Sequence, residues 1–306
     1  MMVYRCGFFL ALLLGLFCNV SCTRHVGKAP ETDAVLMSKL AEEHVKTGPR
    51  YAGSDGAEKA ALWIQQKCRE LSPAWNVTVQ EFEEQTVTGN VKFRNILVHK
   101  GTLNQDFVLL AAHYDTKFFP PEIPFAGAND GASGVAALLG ILHAVKDKDL
   151  PVNIVFAFFD GEEARYDYNE KDGLHGSRYL AETWKKNGTL KHCKAMILLD
   201  MIGDKNLNIT LSQDTARNMR HLLLQAADQM NLRKYVGDYP GNILDDHVPF
   251  QNNGIPCIDL IDFQYGPENS YWHTSEDTLD KISGESMKIA ADLAINLIWK
   301  LAAGVL

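Results

Sequence analysis

Five short segments of this chain end in residues that can ligate a metal or move a proton. They are Val108-Leu-Leu-Ala-Ala-His113-Tyr-Asp115, Gly127-Ala-Asn-Asp130-Gly-Ala-Ser-Gly134, Val155-Phe-Ala-Phe-Phe-Asp160-Gly-Glu162-Glu163, Met196-Ile-Leu-Leu-Asp200 and Tyr271-Trp272-His273-Thr274. Short apolar runs read as buried strands. Ligands of open α/β sheets bind beyond the carboxyl ends of such strands. Histidines and carboxylates gathered at one sheet edge suit a divalent cation, and a donor set of His, Asp and Glu points first to zinc.

Each residue also has a plainer reading. Asp130 precedes Gly131-Ala-Ser-Gly134, so it is either a ligand or the N-cap of the next helix. Glu162 and Glu163 leave a buried strand as neighbours, and neighbours on an extended chain point in different directions. One carboxylate can then face a metal, which requires it to stay ionised. The other can face substrate and titrate as a proton carrier. Asp200 finishes the Ile-Leu-Leu run, where an acid is rarely idle. His113 and Asp115 have the two-residue spacing that puts them on one face. For His273, Thr274 or Asp277 is the expected orienting partner.

The elements that position these residues follow from periodicity. Helices are expected over 32–44, behind an N-cap at Ser54, over 131–145, 176–184, 215–230 and 286–301. Strands are expected over 77–82, 92–98, 107–112, 153–159, 195–200 and 256–261. This alternation predicts an α/β fold: one domain around a mostly parallel mixed central sheet, with helices on both faces. The 306 residues are enough for a substantial core. A net charge of -8 and no basic patch with interleaved aromatics give no reason to expect nucleic acid.

Residues 1–22 read as a targeting segment. Arg5 opens it, and Gly7 to Phe17 is apolar but too short to span a bilayer. The Ser21-Cys22 junction resembles a lipoprotein processing site, although Asn19 stands where an aliphatic residue is usual. Plain secretion and acylation of Cys22 are the two expectations, giving a secreted, periplasmic or cell-envelope location. Residues 23–306 would form the catalytic domain. Of the six cysteines, only Cys68, Cys193 and Cys257 lie in it. An odd set without tight spacing argues against a disulfide framework or a cysteine zinc site.

Taken in order, His113-Tyr-Asp115, Asp130-Gly-Ala-Ser-Gly, Asp160-Gly-Glu162-Glu163, Leu-Leu-Asp200 and His273 resemble the motifs of the zinc-dependent aminopeptidase-like exopeptidases. That superfamily includes the glutaminyl-peptide cyclotransferases of animals. The resemblance covers nearly the whole chain beyond the targeting segment. Two features are similar to the cyclotransferase branch. Asp245, in Asp245-Asp246-His247-Val-Pro-Phe250, stands where aminopeptidases typically carry serine. Trp272 directly precedes His273.

The resemblance implies one Zn2+ held by Asp130, Glu163 and His273. It makes Glu162, Asp200 and Asp245 the catalytic acids, and Trp272 and Tyr168 the substrate-binding walls. The implied substrate is a peptide or protein with N-terminal glutamine, cyclised by a monomer to pyroglutamate with loss of ammonia. The alternative is a di-zinc aminopeptidase in which His113 and Asp200 hold a second ion and Asp130 bridges. Tyr168 departs from the family, since mammalian enzymes have tryptophan there. Asp259 replaces a histidine, and Ala112 and Val135 replace a cysteine pair.

Overall fold

The computed structural model describes residues 27–304. The targeting segment, with Arg5, Ser21 and Cys22, lies outside the described residues. Eight strands form one mixed sheet in the order β1-β2-β4-β3-β5-β8-β6-β7. The strands are β1 (Asn76–Thr86), β2 (Gly89–His99), β3 (Phe107–His113), β4 (Asn153–Phe159), β5 (Cys193–Asp200), β6 (Ile209–Leu211), β7 (Val236–Asp238) and β8 (Cys257–Ile261). The centre, β4-β3-β5-β8, is parallel. β1 and β2 form an antiparallel hairpin, and β2 joins β4 antiparallel. The expected mixed sheet is therefore present.

Helices cover both faces: α1 (Ala34–Val45), α2 (Asp55–Leu71), α3 (Ala132–Val145), α4 (His175–Asn187), α5 (Arg217–Gln229), α6 (Val248–Gln251) and α7 (Gly284–Gly304). Strand alternation divides the core. Val108, Leu110, Ile197, Leu199, Ile258 and Leu260 meet α1, α2, α3, α5 and α7 on one side. Leu109, Phe159, Leu198 and Cys257 meet Leu180 and Trp184 of α4 and Phe250 of α6 on the other. The central strands are buried on both faces, so they read as unbroken apolar runs rather than alternating ones.

Local signals explain where the helices start. The Asp33 carboxylate accepts from the backbone N–H groups of Val35 and Leu36, opening α1. The Ser54 hydroxyl accepts from the N–H of Ala57, opening α2 as expected. β6, β7 and α6 were not expected, because three- and four-residue elements carry no period. Cys68, Cys193 and Cys257 are free, buried thiols.

The chain reverses direction across the sheet at β3. From β3 it moves through α3 to β4 on one side, and from β4 through α4 to β5 on the other. The carboxyl ends of these strands form the crevice where ligands bind in open α/β sheets.

Candidate active site

His113 ends β3, Asp200 ends β5, and Glu162 and Glu163 follow β4. Asp130 sits in the turn before α3. His273 comes from the loop between β8 and α7. All the predicted ligands meet at this edge. Ligating atoms of Asp130, Glu163 and His273 form one compact group, and those of His113, Asp130 and Asp200 form a second, each within 4.8 Å. The Nε2 of His273 lies 3.0 Å from Glu163 Oε1 and 3.2 Å from Asp130 Oδ2. The Nε2 of His113 lies 3.1 Å from Asp200 Oδ1 and 3.2 Å from Asp130 Oδ1. Asp130 therefore joins the two groups.

Asp130 is not a helix cap. The cap position of α3 is Gly131, with no side-chain cap bond. Gly131 has φ +92, and a Cβ there would stand 2.6 Å from the Asp115 carbonyl oxygen. Only glycine permits that close turn, and the turn aims the Asp130 carboxylate at the two histidines. Asp277 supports it by accepting from the backbone N–H of Asn129 at 2.7 Å and of Asp130 at 3.1 Å. The expectation that Thr274 or Asp277 orients His273 is corrected. Asp277 braces the Asp130 turn, and the Thr274 hydroxyl donates to the carbonyls of Ser270 and Tyr271.

Asp115 supports the glutamate pair. Its Oδ1 accepts from the N–H of Glu162 at 3.0 Å, and its Oδ2 from the N–H of Glu163 at 3.1 Å. Both backbone units are fixed while the side chains diverge. Glu163 turns to His273, and Glu162 turns to the cavity. His113 Nδ1 is 3.6 Å from Asp115, too far for a hydrogen bond, so the pair shares a face without bonding. Met201, after Asp200, and His273 both have positive φ, at 44° and 53°. Non-glycine residues held in that region mark sites where the surroundings enforce an unusual conformation.

A cavity of about 220 Å³ opens over these groups. Asp130, Glu162, Glu163, Asp200, Asp245 and His273 supply its acidic and imidazole groups, and Asn242 adds an amide. Trp272 and Tyr168 line it, with Trp272 stacked on the His273 ring at 4.3 Å between centroids. Tyr239, Ile243 and Phe263 complete the apolar wall. Sequence reasoning did not assign them. Phe263 comes two residues after the buried strand β8, the one signal that would have exposed it.

The charges explain why a cation suits this place. Burial pushes Asp130 upward, but hydrogen bonds from His113 and His273 hold it below the usual carboxylate range. Burial pulls His273 down, while Glu163 and Asp130 more than reverse this, pushing it up to about 10. The negative charge that raises His273 would equally favour a cation at this place. Glu163 Oε2 is buried without a hydrogen bond, and Lys117 Nζ lies 3.5 Å away. Burial and the Glu163 charge raise Glu162 well above an ordinary glutamate. Burial, then Asp259 and Asp200, raise Asp245. Among the described residues no hydrogen bond joins Asp245 to Asp200. Asp245 Oδ1 instead accepts from the N–H of Asp246 at 2.5 Å.

A model of Peptidase family M28 matches residues 95–298, which include every group just described. The chain belongs to this family. Among solved structures it resembles an Acidobacteriales bacterium glutaminyl cyclase. That match has TM-score 0.83 and 34% identity, covering 90% of this chain and 97% of the other. It is 31% identical to a glutaminyl-peptide cyclotransferase-like protein of Mus musculus over 75% of this chain and 66% of that relative, slightly under two thirds of its length. It also resembles a leucine aminopeptidase precursor from Bacteroides thetaiotaomicron, with TM-score 0.77 and 26% identity, covering 89% of this chain and 98% of the other. The M28 fold thus accommodates proteins named for either chemistry, and the cavity must decide between them.

Proposed function

We propose that this chain is a zinc-dependent glutaminyl-peptide cyclotransferase that converts N-terminal glutamine to pyroglutamate and releases ammonia. One observation carries the reading. Glu163 faces Asp130 and His273, while Glu162 faces a cavity closed by Asp245 and Trp272. Asp245 stands where the aminopeptidases typically have serine. Asp130, Glu163 and His273 fit a zinc ion: three N/O donors converge, and one buried carboxylate oxygen, Glu163 Oε2, makes no hydrogen bond. Zinc there supplies Lewis-acid polarisation of the γ-carbonyl.

The protein's own groups do the rest. Trp272 and the apolar wall hold the glutaminyl side chain folded toward its own α-amine, which makes ring closure a proximity effect. The amine nitrogen forms the new bond to the carbonyl carbon of the γ-carboxamide (Cδ), and the bond from that carbon to the amide nitrogen breaks. Glu162 takes the proton from the amine and returns it to the departing nitrogen as ammonia forms. Asp245 and Asp200 lie beside this carrier, and the negative charge they hold favours its taking the proton. The substrate is a peptide or protein with N-terminal glutamine, and the chain acts as a monomer. Export through residues 1–22, with or without acylation of Cys22, belongs to the same reading.

The His113, Asp130 and Asp200 group favours a second reading, a di-zinc aminopeptidase. Incubation with a Gln-initiated and a Leu-initiated peptide separates the two. Mass spectrometry should show ammonia lost from the first and the second left intact. Removal of a whole residue from the Leu peptide would install the aminopeptidase instead.

A further inference from the structure

Tyr168 makes a contact that a pocket wall does not require. Its hydroxyl lies 3.1 Å from Glu162 Oε1 and 3.3 Å from Oε2, donating across both oxygens. Glu162 is only 6% exposed, and among the described residues its carboxyl has no other side-chain partner. The terminal torsion of a glutamate is broad, so a carboxyl without a partner would swing. The phenol is what fixes its plane.

The phenol is itself well anchored. The Asp172 carboxylate accepts from the backbone N–H groups of Arg165, Tyr166 and Asp167. Arg178 donates to the Asn169 carbonyl at 2.9 Å. The Tyr168 ring lies on Gly173, where a Cβ would stand 2.5 Å from ring carbon Cδ1. The loop between β4 and α4 is thereby shaped to deliver one hydroxyl to one carboxylate.

We propose that the Tyr168 hydroxyl is a positioning residue for Glu162. One hydrogen shared between two acceptors is weaker than one well-aligned bond. When the substrate amine arrives, the hydroxyl can therefore settle on one oxygen at little cost and leave the other to the amine. It holds the carboxylate at the angle proton transfer needs. The tryptophan of the mammalian relatives offers a similar wall but no hydroxyl at this place. The inference rests on the reading of Glu162 as proton carrier.

Steady-state kinetics on a Gln-initiated peptide test it. Tyr168→Phe should lower kcat about 10-fold and move KM less than about two-fold, with zinc content and thermal unfolding unchanged. Tyr168→Trp should lose kcat equally, because it restores bulk without the hydroxyl. Gly173→Ala, which displaces the ring but keeps the hydroxyl, should also lower kcat. Wild-type kcat in Tyr168→Phe, or a loss confined to KM, overturns the proposal. If the wild-type protein hydrolyses peptides instead, the cyclase reading fails, yet the same kcat comparison on hydrolysis still decides the role of Tyr168, since Glu162 carries the proton in both reactions.

Discussion

In the proposed reaction Glu162 and Glu163 take opposed duties from adjacent positions: Asp115 grips both backbone N–H groups and leaves the side chains to diverge. The division is testable without substrate turnover alone. Glu162→Gln should keep its zinc and lose about 10³-fold in kcat, the scale of a lost general acid–base group. Glu163→Gln should lose zinc, as should His273→Ala. Equal metal depletion in both glutamine variants, read by elemental analysis, would dissolve the assignment. The zinc count of the wild-type chain addresses His113 in the same experiment. One ion is expected, with His113→Ala retaining it. At this scale the sequence was informative where an acid or histidine closed an apolar run, since burial next to charge is costly and rarely accidental. It was silent on the Tyr168 hydroxyl, the Asp277 brace and the Tyr239 wall. The last two depend on contacts between segments far apart in the chain, and the first on how the loop after β4 folds back on Glu162, which no local pattern encodes.

The parallel strands β3, β4, β5 and β8 place the chemistry, and a single buried arginine ties the two ends of the β3–α3 loop to the turn after α1. Arg50 is fully buried, and among the described residues no carboxylate lies within ion-pair distance of it. Its guanidinium donates to the carbonyls of Tyr114, Gly48, Ala126 and Gly127, at 3.0, 3.3, 3.1 and 2.9 Å. Two of those carbonyls precede the Asp130 turn, and one lies between His113 and Asp115. Burial lowers this arginine to about 10, opposed by the charges of Asp277, Asp115 and Asp130. Arg50→Met should leave those carbonyls without donors and destabilise the fold by about 3 kcal/mol, seen as a lower denaturant midpoint. Its zinc affinity should fall as well, because the Asp130 turn loosens. An unchanged affinity for zinc, measured against a competing chelator, would limit Arg50 to a purely structural role. The long elements were legible because their period or their apolar run extends over several residues. Arg50 was not, since an arginine in a Gly-Pro-Arg-Tyr turn looks like an ordinary surface residue until the loops close over it.

Across the whole molecule, two buried histidines away from the ligand set govern how the fold responds to acid. His247 opens α6, is 2% exposed, and its Nδ1 has no hydrogen-bond partner. Burial depresses it to about 4, slightly opposed by Asp214. His44, on α1, is also driven well below its ordinary value, by burial first and by Arg50 second. Both are neutral in the folded protein. Between about pH 4 and 6.5 the unfolded chain binds protons at these positions that the folded chain refuses, so unfolding takes up protons. Stability from this source is complete above about pH 6.5 and is lost as pH falls toward 4, amounting to about 3 kcal/mol at most for His247. Buried acids act in the opposite sense. Burial raises Asp262 to about 6, so its stability contribution is lost as pH rises from its ordinary carboxylate value toward 6. The two trends overlap, and the wild-type profile alone does not separate them. His247→Gln does, because it removes one titrating group and leaves the acids in place. Its unfolding free energy, measured by urea titration from pH 4 to 7, should be lower than wild type at neutral pH. The gap should narrow as pH falls. A gap that stays constant over that range would mean that His247 is not held neutral by the fold.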